Sequence, residues 1–131
     1  MTDDMVSTPI EAMNVIRMGA ADRVKVKVTK HGLDGAILIM QMLTASGKKA
    51  VLGHVFETSL AAVAEAHLAA LFPDIIAPHE IGSMEPLGIS DKILFEDPYR
   101  NQGSITIPKG LGLGVNVNWE KVEKYRIKLV I

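Results

Sequence analysis

The chain has 131 residues, of which 48% are apolar, and a formal net charge of −1 from 14 basic and 15 acidic side chains. This length suits one domain with a sizeable core, and the composition argues against a disordered chain. The near-zero net charge gives no electrostatic case for a nucleic acid or a membrane surface as partner. The chain has no cysteine, which excludes disulfides and thiolate chemistry. With neither a signal peptide nor a membrane span in the sequence, we expect a cytoplasmic protein.

The first predicted helix begins with three independent signals. Thr8 is a capping residue, Pro9 suits the first helical position, and Glu11 completes a capping box. Gly19 is a natural C-terminal stop for this helix. The sequence therefore predicts a well-defined helix before the first full strand.

That strand is predicted at about residues 24–30, where valine alternates with lysine or threonine. An alternation of period two indicates a strand with two different faces. The lysine face meets either solvent on an open sheet or the interior of a βα barrel. In the barrel, Lys25, Lys27 and Thr29 point inward, and a desolvated lysine is suited to general acid–base chemistry. The pattern alone leaves both alternatives open.

The remaining elements continue an alternation of helix and strand. They are a helix capped by Asp34, a strand at 50–55, a helix that begins at Thr58 or Ser59 and stops before Pro73, a strand at 74–78, a β-arm at 103–108, and a final segment at 119–131 that forms a short helix and then a strand. Strands separated in this way by helices predict parallel βα units. Three or four such units form a small open sheet or half a barrel, and half a barrel has two unpaired edges that need a partner.

Several polar residues stand where predicted strands end, which is where catalytic groups collect in βα folds. His54 and Glu57 follow one strand and Glu80 follows the next. Each is a candidate for acid–base or hydrogen-bonding chemistry, although a structural histidine and a helix-preceding glutamate fit the pattern equally well. Asp3 and Asp4 are oxygen ligands suited to Mg²⁺, or part of an acidic terminus.

Taken together, these stretches resemble the C-terminal part of the muconate-lactonizing-enzyme and mandelate-racemase family of the enolase superfamily. The family pattern "aDEs" is similar to TDDM at residues 2–5, and "gaaDvvniKvsKvGG" is similar to MGAADRVKVKVTKHG. The pattern "vGsmlEtgigtaaalHlaaalp" resembles LGHVFETSLAAVAEAHLAALFP, and "G.i.vPdgPGLGvel" resembles GSITIPKGLGLGVNV. The resemblance covers essentially the whole chain, in order and with similar spacing.

This resemblance implies an α/β fold, namely a partial (β/α) barrel that corresponds to about the C-terminal half of a (β/α)₇β TIM-like barrel, with a C-terminal β-arm. Residues 1–131 are expected to form a single domain, with the N-terminal capping domain and the first half of the barrel absent. Members of the family remove the proton α to a carboxylate, and Mg²⁺ stabilises the resulting enolate. We therefore expect a fragment of such an isomerase, which is inactive alone.

The same resemblance assigns expected roles to five residues. Asp3 matches the last metal ligand, and Lys27 matches the sixth-strand lysine that acts as acid or base in lactonizing enzymes and dipeptide epimerases. His54 matches the racemase histidine, but Lys27 replaces that histidine's aspartate partner, which favours the lysine chemistry. Glu57 matches a seventh-strand glutamate, and Glu80 matches the eighth-strand acidic position.

The family pattern also implies partners. The other two metal ligands and a second-strand lysine pair lie outside this chain, so a small carboxylate substrate requires the missing N-terminal half. One alternative is a non-catalytic remnant that forms a half-barrel homodimer, and another is an unrelated small α/β binding domain. Cycloisomerisation, epimerisation, racemisation and dehydration share the same proton-transfer step, so the reaction type stays open.

Overall fold

The computed structural model describes residues 1–75, 79–81, 91–96, 100–101 and 103–127. Its helices are Pro9–Arg17 (α1), Val28–Ala45 (α2), Ser59–Leu71 (α3) and Trp119–Lys124 (α4), with a 3₁₀ turn at Pro73–Ile75. Its strands are Arg23–Val26 (β1), Lys49–Leu52 (β2), Arg100–Asn101 (β3) and Ser104–Ile105 (β4). Among the described helices, none is long and apolar enough to cross a membrane.

A parallel sheet organises the first part of the chain. β1 pairs with β2 in parallel, with Arg23 opposite Lys49. On the outer side of β1, Thr2 forms a parallel bridge with Val24. On the outer side of β2, the Glu80 N–H donates to the carbonyl oxygen of Leu52 at 3.0 Å. This order, with α2 between β1 and β2, agrees with the parallel βα units that the sequence predicts.

Helix α1 confirms the predicted capping box. The Thr8 hydroxyl accepts a hydrogen bond from the Glu11 N–H at 3.3 Å, and the Glu11 carboxylate accepts one from the Thr8 N–H at 2.9 Å. Ser7 N–H donates to the same carboxylate at 2.7 Å. Together these bonds satisfy donors that the first turn of a helix otherwise leaves unpaired.

The predicted strand at 24–30 is too long, because β1 ends at Val26 and α2 begins at Val28. The Lys27 carbonyl accepts hydrogen bonds from the N–H groups of Lys30 and His31 at 3.0 and 3.1 Å, which closes a helical turn at once. Gly32 then interrupts the helix with φ 65° and ψ 175°. Glycine adopts this conformation readily because it has no Cβ.

The early start of α2 places Thr29 in its first turn and not on the strand. Asp34 lies two residues after the interruption at Gly32, at the start of the longer helical run, and the cap at Asp34 stays a prediction. The predicted strand at 50–55 also shortens, since β2 ends at Leu52.

The predicted strand at 74–78 is wrong in its first residues. Pro73–Ile75 forms a 3₁₀ turn directly after α3, and residues 76–78 lie outside the described part of the chain. Proline has no N–H to lose and a fixed φ that suits a helical turn, so the chain can make one more turn at Pro73–Ile75. Pairing with β2 occurs instead at Glu80.

The C-terminal part of the chain agrees only partly with the elements predicted from the sequence. β3 and β4 form a short antiparallel pair, in which Asn101 lies opposite Ser104. β4 falls within the β-arm predicted at 103–108, whereas β3 precedes it. Trp119–Lys124 is helical, as predicted, and the Asn118 side chain accepts the Lys121 N–H at its start. The strand predicted after this helix falls largely on residues 128–131, outside the described residues.

The core lies between the valine face of β1 and helices α1 and α2. Val24 and Val26 are fully buried, as are Ile39, Met40 and Leu43 of α2. The valine face of β1 therefore packs on the helices, as the alternation of period two requires. The lysine face points the other way.

A glycine after β2 leaves room for that lysine face. A Cβ at Gly53 would lie 2.4 Å from Cγ and Cδ of Lys25 and 3.1 Å from Cε of Lys27. The lysine stems thus occupy the space that a side chain at residue 53 would need. Close packing of this kind makes even one added methyl group costly.

We predict that Leu43→Ala lowers the free energy of unfolding by about 2–5 kcal/mol, because it leaves a cavity in the core. Leu38→Ala is the matched control, since Leu38 is on the same helix and 46% exposed. Urea denaturation of both variants measures the difference. Equal losses would contradict the placement of the core.

We also predict that Gly53→Ala destabilises the fold by about 1–3 kcal/mol, because its methyl group overlaps the stem of Lys25. Gly35→Ala is the opposite control: its Cβ would meet only His31 Cβ at 3.4 Å, an ordinary contact within a helix. We expect that exchange to stabilise the protein by about 0.5–1 kcal/mol. A neutral or stabilising Gly53→Ala would disprove the packing of the lysine stems.

Candidate functional site

The candidate residues gather at the carboxyl ends of the parallel strands. Lys27 directly follows β1, His54 and Glu57 follow β2, and Glu80 pairs with the last residue of β2. Asp3 is next to Thr2, which pairs with β1. In parallel βα folds this edge of the sheet is where functional side chains converge.

Lys27 is the buried centre of this edge. It is 6% exposed, and its Nζ forms an ion pair with Asp3 Oδ1 at 2.5 Å. A second carboxylate oxygen, Oδ1 of Asp4, lies 3.6 Å from the same Nζ. An ammonium group this far from water needs such partners, because an unpaired buried charge is strongly destabilising.

Lys25 forms ion pairs with Asp3 and with a third acidic residue, Glu80. Its Nζ lies 3.2 Å from Asp3 Oδ2 and 2.8 Å from Glu80 Oε2. Glu80 raises the pKa of Lys25, burial opposes this effect, and Asp3 adds to it. Burial by itself would raise the pKa of Asp3, but Lys27 and Lys25 together hold it below its usual value. Asp3 is therefore a charged carboxylate that bridges both lysines.

Lys30 completes the group on the outer side. Its Nζ lies 2.5 Å from Asp4 Oδ1 and lowers the pKa of that carboxyl. The set, which we call the lysine–carboxylate cluster, comprises Asp3, Asp4, Lys25, Lys27, Lys30 and Glu80. Three ammonium groups face three carboxylates, so its formal charge is balanced.

His54 and Glu57 form a second group. Glu57 is 5% exposed and accepts hydrogen bonds from the Val55 N–H at 2.6 Å and the Thr29 hydroxyl at 3.1 Å. His54 Nε2 lies 3.6 Å from Glu57 Oε2. Glu57 therefore connects the segment after β2 to the first turn of α2, two residues after Lys27.

The segment between these two residues is strained. Phe56 has φ 55°, a conformation that costs a side-chain-bearing residue on the order of 1–3 kcal/mol. Its N–H donates to His54 Nδ1 at 3.2 Å, so the ring proton of a neutral His54 resides on Nε2, toward Glu57. The hydrogen bonds of His54 and Glu57 hold the backbone in this unusual turn.

The sequence-predicted residues thus fall into two neighbouring groups. Asp3, Lys27 and Glu80 belong to the lysine–carboxylate cluster, whereas His54 and Glu57 pair with each other. Thr29, in the first turn of α2, links the second group to the segment that carries Lys27. The individual chemical roles of these five residues remain predictions.

Two features of the site escape the sequence patterns. Lys25 bridges two carboxylates at the site, although the family pattern favours Lys27 alone. Glu65 of α3 is completely buried, and this burial together with the charge of Glu57 raises the pKa of Glu65. A sequence signal for Glu65 exists, because it is the only charged residue within the alanine-rich α3. A lone acid on a helix that is apolar all round cannot reach water easily.

The donor set does not fit Mg²⁺ by itself. Mg²⁺ requires near-octahedral oxygen ligands, whereas both oxygens of Asp3 already face ammonium groups. The three lysines already neutralise the three carboxylates, so the cluster offers a divalent cation no net attraction. Within the described ranges, no group of three or more metal-binding side chains is present. The described residues therefore do not form a magnesium site on their own.

The chain is similar to known proteins over most of its length. Residues 1–122 match the family model described as enolase C-terminal domain-like. Muconate cycloisomerase 1 of Rhodococcus opacus is 32% identical over 126 residues, which cover 95% of this chain and 33% of that protein. L-Ala-D/L-Glu epimerase of Bacillus subtilis is 38% identical over 71 residues, which cover 53% of this chain and 19% of that protein.

Solved structures show the same fold. Muconate cycloisomerase from Pseudomonas fluorescens superposes with a TM-score of 0.83 at 24% identity, over 96% of this chain and 35% of that one. The chain spans about one third of the length of the muconate cycloisomerases that it matches. It belongs to the enolase C-terminal domain-like family, whose domain is an α/β barrel-like fold shared with the muconate cycloisomerases.

Proposed function

We propose that this chain is the C-terminal half of the barrel, including the β-arm, of a muconate-lactonizing-type isomerase, and that residues 1–131 form one domain of it. The run of parallel pairings from Thr2 through β1 and β2 to Glu80 supports this proposal. So does the length of the chain, which spans 33% of muconate cycloisomerase 1 of Rhodococcus opacus. The family match argues against an unrelated α/β binding domain.

The proposed chemistry is proton transfer at the carbon α to the carboxylate of a small substrate, with Lys27 as acid or base. The observation that carries this proposal is the buried Lys27 ammonium at the carboxyl end of β1, 2.5 Å from Asp3. An ammonium held by a carboxylate is charged and suited to donate a proton from Nζ to the α carbon. In the reverse direction, the neutral amine takes that proton back.

The surrounding residues have supporting roles in this proposal. Lys25, held by Glu80 and Asp3, adds a second fixed positive charge near Lys27 that favours a substrate carboxylate. His54 and Glu57 shape the neighbouring turn, and Glu57 fixes the first turn of α2 through Thr29. A magnesium requirement of the complete enzyme depends on ligands outside this chain, together with Asp3.

The chain by itself is proposed to be inactive and to need a partner. The α1 side exposes apolar side chains, with Met5 76%, Ile10 74% and Met13 40% exposed. Exposed apolar side chains of this size, when they lie together, are typical of a surface that another protein part covers. We propose the missing N-terminal part of the barrel, with its capping domain, as that partner. The alternative is a second copy, which pairs the open edges of two half-barrels.

We predict that Lys27→Ala abolishes exchange of the α proton when the barrel is completed. The full chain is mixed or fused with the N-terminal two thirds of muconate cycloisomerase 1 of Rhodococcus opacus, and exchange of the lactone product with deuterated water is followed by proton NMR. We expect a loss of at least about 10²-fold, since acid–base groups typically contribute 10²–10⁴-fold. Lys109→Ala, at an exposed residue of the glycine-rich loop, is the control and should leave exchange unchanged.

Retained exchange in Lys27→Ala, with Lys109→Ala equally active, would overturn the role of Lys27. Light scattering of the 131-residue chain separates the partner alternatives. A stable dimer that gains no exchange activity with the added N-terminal part would favour the homodimeric remnant over the enzyme fragment.

A further inference from the structure

Helix α3 carries an acid in a place where its charge is costly. Glu65 is fully buried, and its neighbours Ala64 and Ala66 are buried too. In the family pattern aligned above, an alanine stands at the position of Glu65. A small apolar residue would fill this position without any polar group to satisfy, so the carboxyl is not required for packing.

Among the described residues, no cation forms an ion pair with this carboxyl. Both oxygens of Glu65 are buried and neither has a well-formed hydrogen bond, although the N–H of Val28 is close enough to lower the pKa. Lys27 and Lys30, at the start of α2, direct their ammonium groups to Asp3 and Asp4. His31 contacts the backbone of Lys27 and Val6 through its two ring nitrogens.

Among the described titratable groups, Glu57 on the connection from β2 to α3 interacts with Glu65. His54 on the same connection faces Glu57 at 3.6 Å. Burial and, to a smaller extent, the charge of Glu57 raise the pKa of Glu65 to about 8, and the N–H of Val28 opposes these two effects only in part. Geometry and electrostatics therefore agree that the neutral form of this carboxyl is favoured.

We propose that Glu65 retains its proton at neutral pH and acts as a positioning residue for Glu57. With Glu65 neutral, the pair carries a single negative charge, which stays on Glu57 and keeps its hydrogen bonds to the Val55 N–H and the Thr29 hydroxyl. These two bonds hold the turns that follow β2 and β1, and those turns carry His54 and Lys27. The catalytic importance of this arrangement rests on the proposed function; the protonation of Glu65 does not.

The opposite charge state would disturb the site. An ionised Glu65 would add a second buried negative charge that interacts with the charge of Glu57. Repulsion between like charges in a poorly solvated place is strong. It would push Glu57 away from the N–H of Val55 and release the strained turn at Phe56.

Carbon-13 NMR of the side-chain carboxyls in the 131-residue chain tests the proposal. We expect the Glu65 carboxyl, assigned by through-bond spectra, to titrate with a midpoint near 8. The amide shift of Val55 should move with the same midpoint, because its hydrogen-bond acceptor moves. A Glu65 midpoint in the ordinary range of carboxylic acids would overturn the inference. So would a Val55 amide shift that does not change as Glu65 titrates.

Matched variants separate positioning from packing. Glu65→Gln keeps the shape but cannot ionise, so the Val55 amide should become independent of pH above neutrality. Glu57→Gln should lower the midpoint of Glu65, since it removes the neighbouring charge. Glu11→Gln, in the exposed capping box of α1, should change neither observation. An unchanged Glu65 midpoint in Glu57→Gln would show that the two carboxyls do not act as a pair.

Stability provides a second readout that needs no variant to be active. A carboxyl whose pKa is higher in the folded state than in the unfolded state stabilises the fold. This stabilisation is complete at pH values below the pKa of the unfolded state. That contribution is lost as pH rises from the ordinary value of 4.5 to about 8. Relative to Glu65→Gln, the folded-to-unfolded ratio of the wild type should fall about tenfold per pH unit in this window. A constant ratio would contradict the proposal. These measurements use the chain alone, so a failed exchange assay with the completed barrel would leave their outcome intact.

Discussion

The burial of Lys27 directly after β1, with the partly buried Lys25 on the same face, is the constraint on which the site depends. Taking such a charge out of water costs several kcal/mol unless a counter-charge accompanies it. Asp3 supplies that counter-charge with both oxygens, Oδ1 toward Lys27 and Oδ2 toward Lys25. The segment that carries Asp3 must therefore pair with β1, and the backbone bonds between Thr2 and β1 hold it there. Sheet pairing and charge neutralisation depend on each other.

Packing restricts the same face as strongly as charge does. The stems of Lys25 and Lys27 cross the backbone at Gly53, where a Cβ would overlap Lys25 at 2.4 Å. The lysines can reach Asp3 and Glu80 because residue 53 has no side chain. Because Gly53, directly after β2, has no side chain, the stems of Lys25 and Lys27 can lie flat against the backbone. Only the ammonium ends of these side chains then contact carboxylates.

The sequence predicts features that local patterns encode. The capping box at Thr8 and the two faces of β1 follow from spacing alone, and the structure confirms both. The end of β1 at Val26 is not predictable in this way, because it depends on hydrogen bonds to the Lys27 carbonyl and on a left-handed Gly32. The pairing of Lys25 with Asp3 joins residues distant in sequence, so it emerges only when the strands assemble.

The two groups of the site are held by different kinds of partner. Glu57 bonds to a backbone N–H and a hydroxyl, and both donors are fixed in turns. Lys27 is bound to Asp3, and in the proposed function a substrate carboxylate would compete for that ammonium. An ammonium group has three N–H donors, so the contact with Asp3 at 2.5 Å leaves donors for a further partner. The ion pair thus fixes the position of Nζ without using up its donors, which is what the proposed proton transfer would require of this group.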